Sequence, residues 1–314
     1  MNRPSAIVCG YGGFGRAGLA AALRQGCAVR HVFTHADHAG EVVWWDSMAA
    51  LAHELGIPVS LDADFKDPAG AEALIAALQP DFILSFYFRH MIPSRILAHA
   101  RRGSYNLHGS LLPKFRGRAP INWQLVEGAA QAGLTLHAMV KSADAGDIVA
   151  QEVMDIGPDE DAFALTVRML DAAPDFFDRH LPGIFAGTTT PQAQDHSLAT
   201  LFGRRTPADG CLRWAGSARA AHNLVRAVAF PWPGAFTFCA GRKLIIQRTR
   251  VRSEHGSVAA PGTILPGVPG ACRGVACGQG VLDLISFTDE HGQPVVPPLG
   301  VRCDESPHSD NGLR

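Results

Sequence analysis

The run Asp81-Phe82-Ile83-Leu84-Ser85-Phe86-Tyr87-Phe88 is almost unbroken apolar sequence, too short for a typical helix and bounded by Pro80 and Arg89. Such a strand is stable only where both of its faces are covered, the position of a central strand in a parallel sheet with a helical layer on each side. The sequence before it fits that architecture. Residues 5 to 9 (SAIVC) read as a second buried strand, followed by a glycine turn and a helix from about Gly15 to Gln25. Ala28 to His35 is a strand, SMAALAHELG is helical, IPVSL is extended and AEALIAALQ is helical again. Strands alternating with helices of about ten residues predict an α/β domain with a parallel sheet and right-handed crossovers.

Beyond Phe88 the pattern continues with INWQLVEGAA as a helix and with LTLHAMV and IVAQEVMDI as strands. AFALTVRMLDAAPDFFDRHLPGIF is helical, with Pro174 expected to interrupt it. GTTTPQAQDHSLAT, from residue 187, reads as a polar connector, and from Leu244 short alternating runs are cut by Gly and Pro. The expectation is a Rossmann-like α/β domain over residues 1–203, a small β-barrel (OB-like) domain over 204–302 and a disordered tail over 303–314.

Composition narrows the class. The 47% hydrophobic and 18% charged fractions exclude a disordered chain, and a net charge of −1 argues against a surface built wholly for nucleic acid. The start, MNRPSAIVCGYGGFG, lacks the apolar run of a secretion leader, and no stretch is long enough to span a membrane. Seven scattered Cys, of which Cys272 and Cys277 lack a partner pair, suggest free thiols in the cytoplasm and no metal site.

Gly10-Tyr11-Gly12-Gly13-Phe14-Gly15 matches G-x-G-x-x-G between a strand and a helix, the place of a dinucleotide fingerprint. The acid that should hold the ribose is misplaced: the first one, Asp37, lies 27 residues after Gly10 and past the end of the second strand. A tight β–α turn explains the glycines equally, with an NAD-binding enzyme as the remote alternative.

The chemistry concentrates in Asn106-Leu107-His108-Gly109-Ser110-Leu111-Leu112-Pro113-Lys114-Phe115-Arg116-Gly117-Arg118. Asn106 and His108 alternate on a strand end and therefore share a face. Thirty-six residues after His108, Asp144 lies in a loop with Gly146 at its turn. An amide, an imidazole and a carboxylate at sheet edges suit acyl transfer: the amide donates to an oxyanion, the imidazole moves protons, and the carboxylate orients the imidazole. With no Gly-x-Ser-x-Gly elbow and no Cys nucleophile, direct transfer between two bound substrates is expected.

NLHGSLLPKFRGRAPINW and KSADAGDIVAQ resemble the two signatures of the folate-dependent formyltransferases, and SFYFRHMIP, FTHADHAGE, FGRRTPADG and HNLVRAVAFPWPGAF extend the likeness over most of the chain. The resemblance implies that Asn106 stabilises the oxyanion, that His108 transfers protons and that Asp144 raises the pKa of His108. It implies further that His90, Met91, Ile92, Arg118 and the loop Val140, Lys141, Ser142, Ala143, Asp144 contact 10-formyltetrahydrofolate as co-substrate. Within the family the likeness is greatest to the branch that formylates UDP-4-amino-4-deoxy-L-arabinose, a lipid A modification that confers polymyxin resistance. In that branch a decarboxylase half follows. This chain ends at Arg314, so a free-standing transferase is expected.

The rival acceptor is methionyl-tRNA. Family members acting on tRNA resemble one another in a basic loop after the second strand, whereas here His38 to Asp46 carries two acids and no Lys or Arg. Residues 204 to 252 hold ten Arg or Lys against the single acid Asp209. That stretch could grip tRNA, bind the diphosphate of a sugar nucleotide through Arg204 and Arg205, or be solvated surface.

Overall fold

The computed structural model describes residues 3–61, 68–256 and 259–306. The chain divides into two compact units, one of Met1–Pro120, Ala132–Met154 and Val167–Phe202, the other of Ile121–Gln131, Asp155–Thr166 and Gly203–Arg314. The second unit thus draws on two internal segments that sequence patterning assigns to the first.

In the first unit, β1 (Ser5–Gly10), β2 (Ala28–Thr34), β3 (Val59–Leu61), β4 (Phe82–Phe86), β5 (Gly103–His108), β7 (Gln131–Ala138) and β8 (Ile148–Asp155) form one sheet in the order β3-β2-β1-β4-β5-β7-β8. The short β6 (Arg116–Gly117) lies outside it and pairs with β9 (Leu201–Phe202). Every residue of β1 and β4 is buried, as their apolar runs require. Strand order reverses between β1 and β4, the switch point of a doubly wound, Rossmann-like sheet. Pairing is parallel from β3 through β5, but β7 runs antiparallel to β5. The helix between them, α5 (Pro120–Val126), belongs from Ile121 to the second unit, where its Asn122 donates to the Ala227 carbonyl, 2.6 Å away.

Helices α1 (Gly12–Arg24), α2 (Met48–Glu54), α3 (Ala73–Leu78) and α4 (Ser94–Leu97) join the parallel strands. Helix α6 (Ala162–Ala186) runs through Pro174 and Pro182 without the expected interruption. Its buried Met169, Ala173, Phe176, Phe177, Leu181 and Ile184 recur at helical spacing, and Phe177 packs edge-on against Phe86 of β4. Tertiary burial here outweighs the lost backbone hydrogen bonds.

The second unit holds α7 (Ala218–Val228) and an antiparallel sheet of β10 (Ala235–Cys239), β11 (Arg242–Ser253), β12 (Ile264–Pro266), β13 (Arg273–Ala276), β14 (Val281–Asp289) and β15 (Cys303–Asp304), ordered β12-β13-β14-β11-β10-β15. Register shifts between β11 and β14 mark bulges, which bend and coil long strands towards the half-barrel observed. Cys303 and Asp304, expected in a disordered tail, pair with Cys239 and Phe238 as the sheet's edge. Cys303 is buried, and burial of its thiol outweighs the polar composition that follows it. The rest of that tail, from residue 307, lies outside the described residues.

Candidate active site

Asn106 and His108 stand at the carboxyl end of β5, and Asp144 in the loop between β7 and β8. The structure brings all three together. His108 Nδ1 lies 3.6 Å from Asp144 Oδ2, and Asn106 Nδ2 lies 3.5 Å from Asp144 Oδ1. Asp144 and Phe115 adopt left-handed backbone, with φ of 49° and 61°. Such strain at non-glycine residues persists only where surrounding contacts over-determine it. Gly146 allows the Asp144 loop to close, because a Cβ there would collide with the Ala138 carbonyl.

His108 Nε2 donates to the Phe115 carbonyl at 2.7 Å, which assigns the proton of a neutral ring to Nε2 and leaves Nδ1 as the base. Burial pushes the His108 pKa below its ordinary value; Asp144 and the Phe115 carbonyl oppose this without reversing it. Asp144 acts in the expected direction and raises the His108 pKa, but desolvation is the larger effect and the net shift is downward. Burial also acts to raise the Asp144 pKa, but neighbouring groups, the His108 ring and the Gly117 amide (2.9 Å from Oδ2) among them, favour the carboxylate and hold it at about 2. A ring that burial keeps neutral lends Asp144 no full positive charge, so the Gly117 amide is the permanent part of that hold. The resulting pair is a neutral imidazole beside an ionised carboxylate, competent to accept a proton at neutral pH.

Several residues around this set escape sequence reasoning. His137 lies directly opposite Asn106 in the β5–β7 register, 1% exposed, with Nε2 3.1 Å from Asn106 Nδ2 and 3.4 Å from Asp144 Oδ1. Only the antiparallel register reveals that pairing. Thr135, opposite His108, donates to the Ser110 carbonyl at 2.6 Å and accepts from Gln151, fixing the loop after β5. Gln194, in the segment expected to be a featureless connector, is buried. Its amide donates to the carbonyls of Asp144 (2.8 Å) and Gly146 (2.6 Å) while its Oε1 accepts from Arg116. It thereby ties the two loops of the site.

The residues expected to meet folate divide. His90, Met91, Arg118, Val140, Lys141 and Ser142 are exposed, and Ala143 is half-buried. Ile92 instead packs into the core with Ile7, Cys9, Phe33, Ile75, Ile83 and Ile96, which leaves its backbone as its free polar part. Arg118 donates to the Arg89 carbonyl at 2.5 Å, and the Arg89 guanidinium pairs with Glu41 and lies 4.0 Å over the Tyr11 ring. Tyr11 in turn donates to Asp37 at 2.6 Å. Glu41 of the Glu41–Asp46 loop is thus engaged inside the first unit, and Asp46 lies 3.9 Å from Arg16.

In the second unit Arg204 is exposed, and no hydrogen bond or ion pair engages its side chain among the described residues. Arg205 is committed: its guanidinium lies 4.5 Å over Trp123 and donates to the Asp209 carbonyl at 2.9 Å. Much of the basic stretch is likewise occupied. Arg219 pairs with Glu254, Arg242 with Asp289, and Arg250 and Arg252 with buried Asp283, while Arg226 donates to the carbonyls of Gly157 and Glu160. Among the described residues no group of three or more His, Cys, Asp or Glu is placed to hold a metal, and no helix is long and apolar enough to cross a membrane.

This architecture has known counterparts. Residues 12–181 match the formyl transferase family and residues 204–297 match the formyl transferase C-terminal domain. The chain belongs to the formyltransferase family and is a formyl-transferring enzyme. Its fold is that of WlaRD, a sugar 3N-formyl transferase solved in the presence of dTDP and 5-N-formyl-THF (16% identity, TM-score 0.69, covering 91% of this chain and 98% of that one). It is also that of an N-formyltransferase from Helicobacter canadensis in complex with folinic acid and dTDP-3-aminofucose (15%, 0.65, 92% and 100%). HypX from Aquifex aeolicus, in complex with tetrahydrofolic acid, is similar over 92% of this chain and 45% of its own length (14%, 0.61).

Proposed function

We propose that the protein transfers the formyl group of 10-formyltetrahydrofolate to the amine of a sugar nucleotide, UDP-4-amino-4-deoxy-L-arabinose or a close 4-amino sugar nucleotide. The observation that carries this reading is the convergence of Asn106, His108 and Asp144 at one sheet edge, in a chain of the formyltransferase family. Neighbours of the same fold that bind folates together with dTDP or a dTDP-amino sugar support the acceptor class.

The amine nitrogen attacks the formyl carbon, and the carbonyl oxygen becomes an oxyanion that accepts an N–H of Asn106. His108 Nδ1 takes the proton released by the attacking nitrogen and returns it to N10 of the folate. The carbon–N10 bond breaks, and the products are the formamide and tetrahydrofolate. Asp144 stabilises the transient imidazolium. His90, Met91, Arg118, the backbone of Ile92 and the loop Val140 to Asp144 form the folate rim in this reading. Arg204, two residues after β9, clamps the diphosphate, with Arg205 as its support on Trp123.

The test supplies 10-formyltetrahydrofolate with UDP- and dTDP-linked 4-amino and 3-amino sugars and with methionyl-tRNA, and follows tetrahydrofolate release. Turnover with a 4-amino sugar nucleotide is expected. Transfer to methionyl-tRNA with none to any amino-sugar nucleotide overturns the reading.

A further inference from the structure

We infer that His137 is a positioning residue that fixes which way the Asn106 carboxamide faces. This rests on the formyl transfer proposed above, where Asn106 must present an N–H to the oxyanion. The argument is one of matching donors to acceptors. His137 Nδ1 lies 2.8 Å from the Ala138 carbonyl, and a carbonyl only accepts, so Nδ1 carries the proton. The ring assigned here is neutral, so Nε2 carries a lone pair: Asn106 Nδ2, 3.1 Å away, is its donor, and Asp144 Oδ1, 3.4 Å away, shares no proton with it. Asp144 Oδ1, which also only accepts when ionised, lies 3.5 Å from the same Nδ2.

One N–H of Asn106 is thereby held between two acceptors, and the other remains for the formyl oxygen. Rotating the carboxamide by half a turn would put its own oxygen against a lone pair and a carboxylate. At buried positions that mismatch leaves acceptors unpaired, which is costly. A His137 ring protonated at Nε2 would reverse the preference and turn the Asn106 donor away. The tautomer of one imidazole therefore selects the working orientation of its cross-strand neighbour.

Two measurements test this. In the free protein, ¹⁵N spectra of the imidazoles at pH 7, with His137 assigned by the signals lost in His137→Gln, should show a neutral ring protonated at Nδ1. A ring protonated at Nε2, or at both nitrogens, overturns the proposal. Kinetically, His137→Phe should lower kcat about 10- to 100-fold, less than the roughly 10²–10³ for loss of an oxyanion donor, with KM for the folate within about twofold. His137→Gln, whose carbonyl can accept near the Nε2 position, should recover most of that loss. Added to Asn106→Ala, His137→Phe should cost nothing further; multiplying losses would mean a merely structural role and overturn the proposal. Should His137→Phe fail to fold, the same cycle is run with His137→Leu, and the spectra decide independently. A wild type inactive on every amino-sugar nucleotide would instead sink the proposed function, with the spectra still ruling on His137.

Discussion

The indole of Trp45 lies against Gly12, 3.4 Å from the point where a β-carbon would stand. Gly12 has φ of 61°, so the turn after β1 needs a residue tolerant of left-handed backbone, and a tryptophan covers the turn. In a dinucleotide site the pyrophosphate would take that place at the helix start. Titration with NAD, NADH or NADP is therefore expected to show no saturable binding up to millimolar concentration by calorimetry. A micromolar Kd would restore the dinucleotide reading of the glycine motif.

The other glycines of the motif serve packing. A Cβ on Gly15 would meet Met48 Sδ at 2.8 Å and the Gly10 backbone at 3.0 Å. Gly15→Ala should lower stability by about 1–3 kcal/mol, the range for overpacking a tight contact, read from urea unfolding. An unchanged midpoint would show that β1 and α1 yield more than their spacing suggests.

His108→Ala should reduce kcat by about 10²–10⁴, as expected for lost acid–base work, and Asn106→Ala by about 10²–10³. KM for 10-formyltetrahydrofolate should change far less, since neither side chain is assigned to the folate rim. Steady-state assays of tetrahydrofolate release decide this. Near wild-type turnover in either variant would remove that residue from the mechanism.

The pH profile follows from His108. It acts as the neutral base and burial holds its pKa below the ordinary value, so the acid limb of kcat should lie below about pH 6.5. Asp144 is one of the groups that raise that pKa; in Asp144→Asn the limb should move to still lower pH while kcat falls. A limb moving upward would show that Asp144 acts on some other group.

Asp144 also contributes to stability. Its folded pKa of about 2 lies below the ordinary 3.8, so the contribution is present above about pH 4 and fades as pH falls towards 2. The gap in urea midpoint between wild type and Asp144→Asn should hold above pH 4 and narrow below it. A gap independent of pH down to 3 would place the carboxylate's effect elsewhere.

Much of this molecule is legible in its residues. The apolar runs of β1 and β4 require a doubly covered sheet, and alternation alone puts Asn106 and His108 on one face. What escapes is long-range. Nothing local tells β7 to run antiparallel, and without that register His137 has no visible link to Asn106. Pro174 argues for a break that the apolar face of α6 overrides. Arg204 and Arg205 look equivalent in sequence, yet Trp123, more than eighty positions away, engages only one of them.

The buried amide of Gln194 belongs to a stretch that composition paints as uniform linker. Its grip on Asp144, fifty residues earlier, makes tolerance of length change uneven along that stretch. Between Thr188, whose amide bonds the Gly183 carbonyl, and Gln192 an insertion should leave the contacts of Gln194 in place. Between Gln192 and Leu201 both ends are pinned, by reciprocal 2.8 Å hydrogen bonds with Ile148 and by the pairing of Leu201 with Arg116. An insertion there must displace either a backbone bridge or Gln194, and so shift the carboxylate loop. An engineered insertion or fusion point in this segment should therefore be tolerated only in its first few residues.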